Sequence, residues 1–427
     1  MMLVAAVVFS FGVRSASAEP RQWSGPLTLA QAVQRAQDAG FDVRVAQADA
    51  EASAARVGVA RAYLRPQVSL AATVSDGGIT QLGMPLAQQS YLTVNASLPI
   101  FTPGDRQSTR AAARSSRAAA YSVLTQRNDA GLLATQGYER ALLAQAVVRA
   151  RRARVIFESR HVRDVAARVR SGDAARYQLF ESRTSLANAQ QSFTDASAEG
   201  DEAISDLEVT LDLAIAPGLR LSDTLAPTSL EGGAATFVGR AMLQRPEILA
   251  ADELLAAAQY RLAGARARYL PMVSATARTY NGYSNPPLGA AGYQVAVAAT
   301  LPVIDGGMRA ATVQESRAVV ARARTVLDNA RLSVQRDVAN AWREVQAARD
   351  DLKTARTRLT SAAEELRVTA VREQAGKGTT LELLSSVMDD SAARENQFRA
   401  VARFNDAVAA VHHAAGDFAT TRKKENP

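Results

Sequence analysis

Two hydrophobic rhythms run along this chain, and each occurs in two copies. The first has a period of two. Val68, Leu70, Ala72 and Val74 alternate with Ser69, Ala71, Thr73 and Ser75, and Leu92, Val94, Ala96 and Leu98 alternate with Thr93, Asn95 and Ser97. The alternation returns at Val273, Ala275 and Ala277 against Ser274, Thr276 and Arg278. It returns again at Tyr293, Val295, Val297, Ala299 and Leu301 against Gln294, Ala296 and Thr300. Successive side chains of a strand point to opposite faces, so each stretch predicts a strand with one apolar face and one small or polar face. The predicted strands cover residues 67–76, 91–100, 272–281 and 293–302, roughly 9–12 residues each, enough for a tilted bilayer crossing. A soluble antiparallel sheet with one wet face alternates in the same way.

The second rhythm is the heptad. Val313, Val320, Leu327, Val334, Ala341, Ala348, Ala355 and Ala362 recur every seven residues, joined by Val338, Val345, Leu352, Leu359 and Leu366. Between Gly307 and Gly376 there is neither Pro nor Gly, so the seam predicts one coiled-coil helix of roughly 70 residues, about 105 Å long. Ala134, Ala141, Val148, Val155, Val162 and Val169 form the matching seam upstream. Both long helices end at a Gly tip. Arg170-Ser171-Gly172-Asp173 and Gln374-Ala375-Gly376-Lys377-Gly378 turn the chain back, because Gly accepts the left-handed helix C-cap.

Pro66 and Pro271, Leu98-Pro99 and Leu301-Pro302, and Gly172 and Gly376 all stand about 205 residues apart, a repeat signature. The chain therefore reads as residues 19–216 and 237–417, two copies of one unit joined by a linker at 217–236 and followed by a flexible tail at 418–427. Each copy opens with a short helix and a medium helix; Thr28 is the first N-cap and Gly40 the first stop. Exposed hairpin ends are expected at Ser75–Ser90 and Tyr283–Gly292, rich in Gly, Pro, Asn and Ser. The fold class is mostly α with a small β part. Four strands cannot close a barrel, and an open edge in lipid leaves backbone groups without partners. Strands that span a bilayer must then be pooled from several chains.

Composition sharpens this picture. Apolar content is 47%, much of it Ala, and aromatics are only 5%, thin for a large globular core. The absence of Cys excludes disulfides, thiolate chemistry and a lipid-modified N-terminal Cys. The net charge of +8 comes from Arg scattered among Asp and Glu, without a dense basic patch, so no nucleic-acid partner is expected. Met2 to Val13 and the Ala16-Ser17-Ala18 pattern make residues 1–18 read as a secretory signal, although the only basic residue there is Arg14. No other stretch supplies ~20 apolar residues in a row. His161, His412 and His413 are the only histidines and suit surface or packing roles, as does Trp342. No catalytic set, phosphate loop or metal cluster stands out, so neither an enzyme nor a cofactor is expected.

The local marks stand in a fixed order. Leu27-Thr28-Leu29-Ala30-Gln31-Ala32-Val33 opens a helix. Tyr63-Leu64-Arg65-Pro66-Gln67-Val68 and Tyr269-Leu270-Pro271-Met272-Val273 enter strands. Leu301-Pro302-Val303-Ile304-Asp305-Gly306-Gly307, with Leu98-Pro99-Ile100-Phe101-Thr102-Pro103-Gly104 as a looser copy, exits into the long helix. In this order, over about residues 27–417, the chain resembles the TolC family of outer-membrane efflux proteins. The resemblance implies a homotrimer in the outer membrane of a Gram-negative-type cell. Each chain would give four strands to a twelve-stranded transmembrane β-barrel, and the helical hairpins would form a periplasmic tunnel, an α-barrel. A periplasmic adaptor and an inner-membrane RND or ABC pump would dock at the tips, for efflux or type I secretion. Gly172, Asp173, Gly376, Lys377 and Gly378 would then be tip contacts, and Glu382 a pore-gate residue. The family's next acidic position is Ser385 here and its polar tip position is Gly378, which departs from the pattern of a salt-bridged gate. The competing reading is a soluble periplasmic coiled-coil scaffold or adaptor.

Overall fold

The computed structural model describes Trp23 and residues 25–75, 89–215, 218–284 and 290–420. The export signal, the tips of both predicted strand hairpins and the end of the predicted tail lie outside the described residues.

The chain begins with β1 (Pro26–Leu27), α1 (Leu29–Ala39) and α2 (Phe41–Ala62). Thr28 starts α1 through a reciprocal capping box. The Gln31 N–H donates to Thr28 Oγ1 at 3.2 Å and the Thr28 N–H donates to Gln31 Oε1 at 3.0 Å. Next come β2 (Gln67–Ser75), β3 (Gln89–Phe101), the 69-residue α3 (Pro103–Ser171) and its return helix α4 (Arg176–Thr210). After β4 (Arg220–Leu221), the order recurs as α5 (Ala234–Gln244), α6 (Pro246–Ala267), β5 (Met272–Ser284), β6 (Ala290–Thr300), the 67-residue α7 (Met308–Gln374) and α8 (Thr380–Ala415). A short α9 (Asp417–Thr420) follows. Helices α3 and α7 are each about 100 Å long.

The Leu-Pro-Val-Ile-Asp-Gly-Gly exit before α7 has a local cause. Gly306 and Gly307 both take positive φ, +64° and +89°. Asp305 then caps the helix, accepting from the Gly307 and Arg309 N–H groups at 3.1 Å and from Arg309 Nε at 2.6 Å. The Arg309 hydrogen bond holds the Asp305 carboxyl below its ordinary range.

The chain divides into two compact units, and each draws on both repeats. One comprises the residues up to Gly40, Leu133–Pro227 and Leu352–Arg403. The other comprises Phe41–Leu132, Thr228–Asp351 and the residues from Phe404 onward.

The second unit holds a four-stranded sheet in the order β2-β3-β5-β6, antiparallel throughout, so the central β3–β5 pair joins the two repeats. Its helices meet through small residues. A Cβ on Gly264 of α6 would lie 3.4 Å from the Gly104 carbonyl of α3. Arg114 of α3 donates to both Glu253 carboxylate oxygens of α6 at 3.1 and 3.2 Å. Phe237 is buried against Trp342, centroids 6.1 Å apart, and against the edge of His412 at 5.9 Å. His412 Nδ1 bonds Asp417, and His413 Nε2 bonds Asp129.

The first unit centres on Tyr138, fully buried with Leu27, Leu207 and Leu211. The Tyr138 hydroxyl lies 2.8 Å from the Leu27 carbonyl and 2.7 Å from Asp223 Oδ2. Burial, reinforced by the Asp223 hydrogen bond, pushes this phenol up to about 12. The α7 heptad seam is the buried side of that helix. Leu352 and Ala362 are buried in this unit, and Leu327, Val334, Val338, Val345 and Ala348 in the other.

Two expectations need correcting. The segment read as a linker, 217–236, carries β4, which pairs in parallel with β1, and Asp223, which accepts from the Leu29 N–H at 2.9 Å. Gly and Pro marked it as loop, but its short polar side chains cap its neighbours. The predicted flexible tail begins too early. α9 covers its first residues, and Phe418 lies so close to Gly131 that a Cβ there would meet its ring at 2.9 Å.

Candidate functional site

Two features carry the functional argument, one in each unit. The first is the pair of helix tips. Both are Schellman turns built alike. At the first, Asp173 N–H donates to Arg168 O at 2.8 Å and Gly172 N–H to Val169 O at 3.3 Å. At the second, Lys377 N–H donates to Arg372 O at 2.8 Å and Gly376 N–H to Glu373 O at 3.0 Å. Gly172 and Gly376 sit at φ +85° and +71°, the conformation the motif demands at that position. Asp173 also accepts from the Ser171 hydroxyl at 2.7 Å, and Lys377 is exposed.

Gly378 has a separate reason to be glycine. A Cβ there would stand 3.1 Å from the Glu373 backbone nitrogen and 3.3 Å from Arg372. A side chain at this position would press on the last turn of α7. Glu382 is exposed in the first turn of α8. Its carboxylate accepts from the Thr379 N–H at 3.2 Å, while its own N–H donates to Thr379 Oγ1 at 3.1 Å. It is therefore also the third residue of a capping box, a role readable from the Thr-x-x-Glu spacing.

Sequence reasoning missed two features of the tips. Arg168 bonds the Glu373 carboxylate, linking α3 to α7 just before both turns. Next to the turns, Tyr177, Phe180, Val371 and Leu381 are exposed large apolar side chains. The helical spacing flagged the segment, but nothing in it distinguished an uncovered apolar face from a buried one.

The second feature is the sheet. Register places Val68, Ala96, Ala277 and Val295 at one level, and Leu70, Val94 and Thr279 with Tyr293 at the next apolar level. On the opposite face, Ser69, Asn95, Arg278 and Gln294 form one row. The apolar face is uncovered within a single chain, Val68 at 71% and Val297 at 69% exposure. A single chain does not leave an apolar face of this extent in water without something to cover it. β2 and β6 are the sheet edges. No described helix is long and apolar enough to cross a membrane.

Comparison with known proteins agrees with this geometry. The family model for outer membrane efflux protein matches residues 32–211 and 237–417. Protein CyaE of Bordetella pertussis is 29% identical over 321 residues, which is 69% of this chain and 64% of that protein's length. Among solved structures, the Campylobacter jejuni CmeC outer membrane channel matches with a TM-score of 0.79 at 17% identity, covering 97% of this chain and 94% of that one. The open state of the Neisseria gonorrhoeae MtrE outer membrane channel matches at 0.76 and 18% identity, covering 91% and 88%. The family is one of outer-membrane transport channels rather than enzymes. With both repeats matched and the fold shared along nearly its full length, the chain belongs to the outer membrane efflux protein family.

Proposed function

We propose that three copies of this chain pool their sheets into one closed outer-membrane barrel and their helical hairpins into a periplasmic tunnel, which conducts substrates delivered by a periplasmic adaptor and an inner-membrane pump. The observation that carries this reading is the four-stranded sheet with two edges and an uncovered apolar face. In lipid such edges leave backbone groups unpaired, so they must meet other strands. Four antiparallel strands run up, down, up and down. The β6 edge of one copy and the β2 edge of the next are therefore antiparallel, and a ring of copies closes without a mismatch. Two copies would give about eight strands, an interior that side chains fill; a conduit needs more, and three copies are the smallest solution. The apolar face then meets lipid and the polar row lines the bore.

In this assembly the tips at Gly172, Asp173, Gly376, Lys377 and Gly378, with the exposed Tyr177 and Phe180 beside them, form the contact for the adaptor. Glu382 places a carboxylate ring at the tunnel end, where crowded like charges oppose anion entry. The test is native mass spectrometry of the detergent-solubilised protein. Three chains per particle are expected; a monomer stable without detergent contradicts the proposal and favours a soluble scaffold.

A further inference from the structure

Across the strand sequences of the sheet, Arg278 alone is charged. It lies on the polar face, in the row formed with Ser69, Asn95 and Gln294. Its Nε donates to Asn95 Oδ1 at 2.7 Å across the β3–β5 junction, which holds the guanidinium over that face. Val295, Val297 and the other residues of the opposite face leave nothing to neutralise it from behind. Guanidinium keeps its charge at every physiological pH and offers forked donors that suit phosphate and carboxylate groups.

We propose that Arg278 forms a ring of positive charge inside the barrel, making this level of the bore an anion-binding zone. The inference rests on the trimeric-barrel reading. Three-fold symmetry puts the three Arg278 side chains at one height of the bore. No acidic residue stands on the four strands to pair with them. A low-dielectric wall focuses such a field and raises the local anion concentration. At this level of the bore carboxylate and phosphate groups are favoured and cations retarded, opposite in sign to the Glu382 ring proposed at the tunnel end.

The experiment uses the full-length protein in detergent and in planar bilayers at low salt, because charge is screened over about 10 Å at 0.1 M. Inorganic tripolyphosphate is the probe. Titration calorimetry on the solubilised trimer needs no open tunnel and reads the ring directly. Wild type and Arg278→Lys are expected to bind tripolyphosphate, and Arg278→Gln to lose roughly tenfold in affinity. In bilayers, tripolyphosphate added from the barrel side should block wild type and R278K, and R278Q should be relieved. Equal binding and equal block by wild type and R278Q overturn the ring. A protein that is not a trimer overturns the channel reading itself, and the particle mass separates that outcome from failure of the ring.

Discussion

Arg168 of the first repeat bonds the carboxylate of Glu373 in the second, tying α3 to α7 just before each helix reaches its tip glycine. Glu373 is 7% exposed, so the carboxylate has little water to fall back on. Arg168→Ala is expected to destabilise the paired helix ends by about 1–3 kcal/mol, the range for leaving a buried polar group unsatisfied. Limited proteolysis should cut sooner near residues 172–178 and 376–380. The charge swap Arg168→Glu with Glu373→Arg should restore much of the protection; equal digestion of R168A and wild type would mean the pair contributes nothing.

The glycines at the tips differ in kind. At Gly172 a Cβ meets nothing within 4 Å, so Gly172→Ala pays only the backbone strain of a positive φ, roughly 1–2 kcal/mol. At Gly378 the Cβ would press on the backbone of α7, so Gly378→Ala forces the turn to move, with overpacking of about 1–3 kcal/mol. Hydrogen exchange at residues 372–380 should speed up in G378A, whereas exchange near residue 172 in G172A should rise without spreading down α3. A silent G378A contradicts the close approach.

Glu382 carries two roles that separate by chemistry. Glu382→Gln keeps an oxygen for the Thr379 N–H and so retains the capping box, but it removes the charge. Glu382→Ala removes both. If the carboxylate helps close the tunnel, both variants raise ion leak in planar bilayers by a similar factor. Leak raised by E382A alone assigns the effect to the helix start, and unchanged conductance in both removes Glu382 from the gate.

Tyr138 predicts a signature at high pH. Its hydroxyl is raised to about 12 in the folded chain from an ordinary 10.0. The folded state holds the proton more tightly than the unfolded one, so this contribution is complete below pH 10 and is lost as pH rises toward 12. Tyr138→Phe should cost about 1 kcal/mol near neutrality by removing one donor from the Leu27 carbonyl and Asp223, which keep those of Ser222 and Leu29. The gap between wild type and Y138F in thermal unfolding should narrow between about pH 9 and pH 12. A constant gap would place the effect in shape rather than in the proton.

At low pH the corresponding group is Asp417. Burial raises its carboxyl, but hydrogen bonds from His412 and Arg240 outweigh this and the net shift is downward. A lowered folded value contributes stability above the ordinary carboxylate range, and that stability is lost as pH falls through it. Asp417→Asn should therefore cost stability at pH 6 and little at pH 2 or 3, read as a flatter acid limb in unfolding curves.

What the sequence revealed and what it hid follow from range. Period-two alternation at Val68–Val74 and Tyr293–Leu301 is a local signal, and the strands lie there. The heptad from Val313 to Leu366 is equally local, and its members form the buried or half-buried side of α7. Gly172 and Gly376 announced their turns because few other residues accept that backbone. Hidden were contacts across long separations: Arg168 with Glu373, Tyr138 with Asp223, Asp417 with Arg240. No spacing rule connects such residues. The strand row of Arg278 with Asn95 required the register of β3 on β5, which the alternation fixes only to within two residues.

In the proposed trimer β6 of one copy pairs with β2 of the next. The chain has no native Cys, so Ala71→Cys on β2 and Ala296→Cys on β6, together with neighbouring same-face pairs, report that junction alone. Under oxidation in membranes, a closed ring of three gives a denaturing-gel ladder of one, two and three chains that stops at three. Cross-linking that yields only single chains at every pair, or a ladder running well past three, would contradict it.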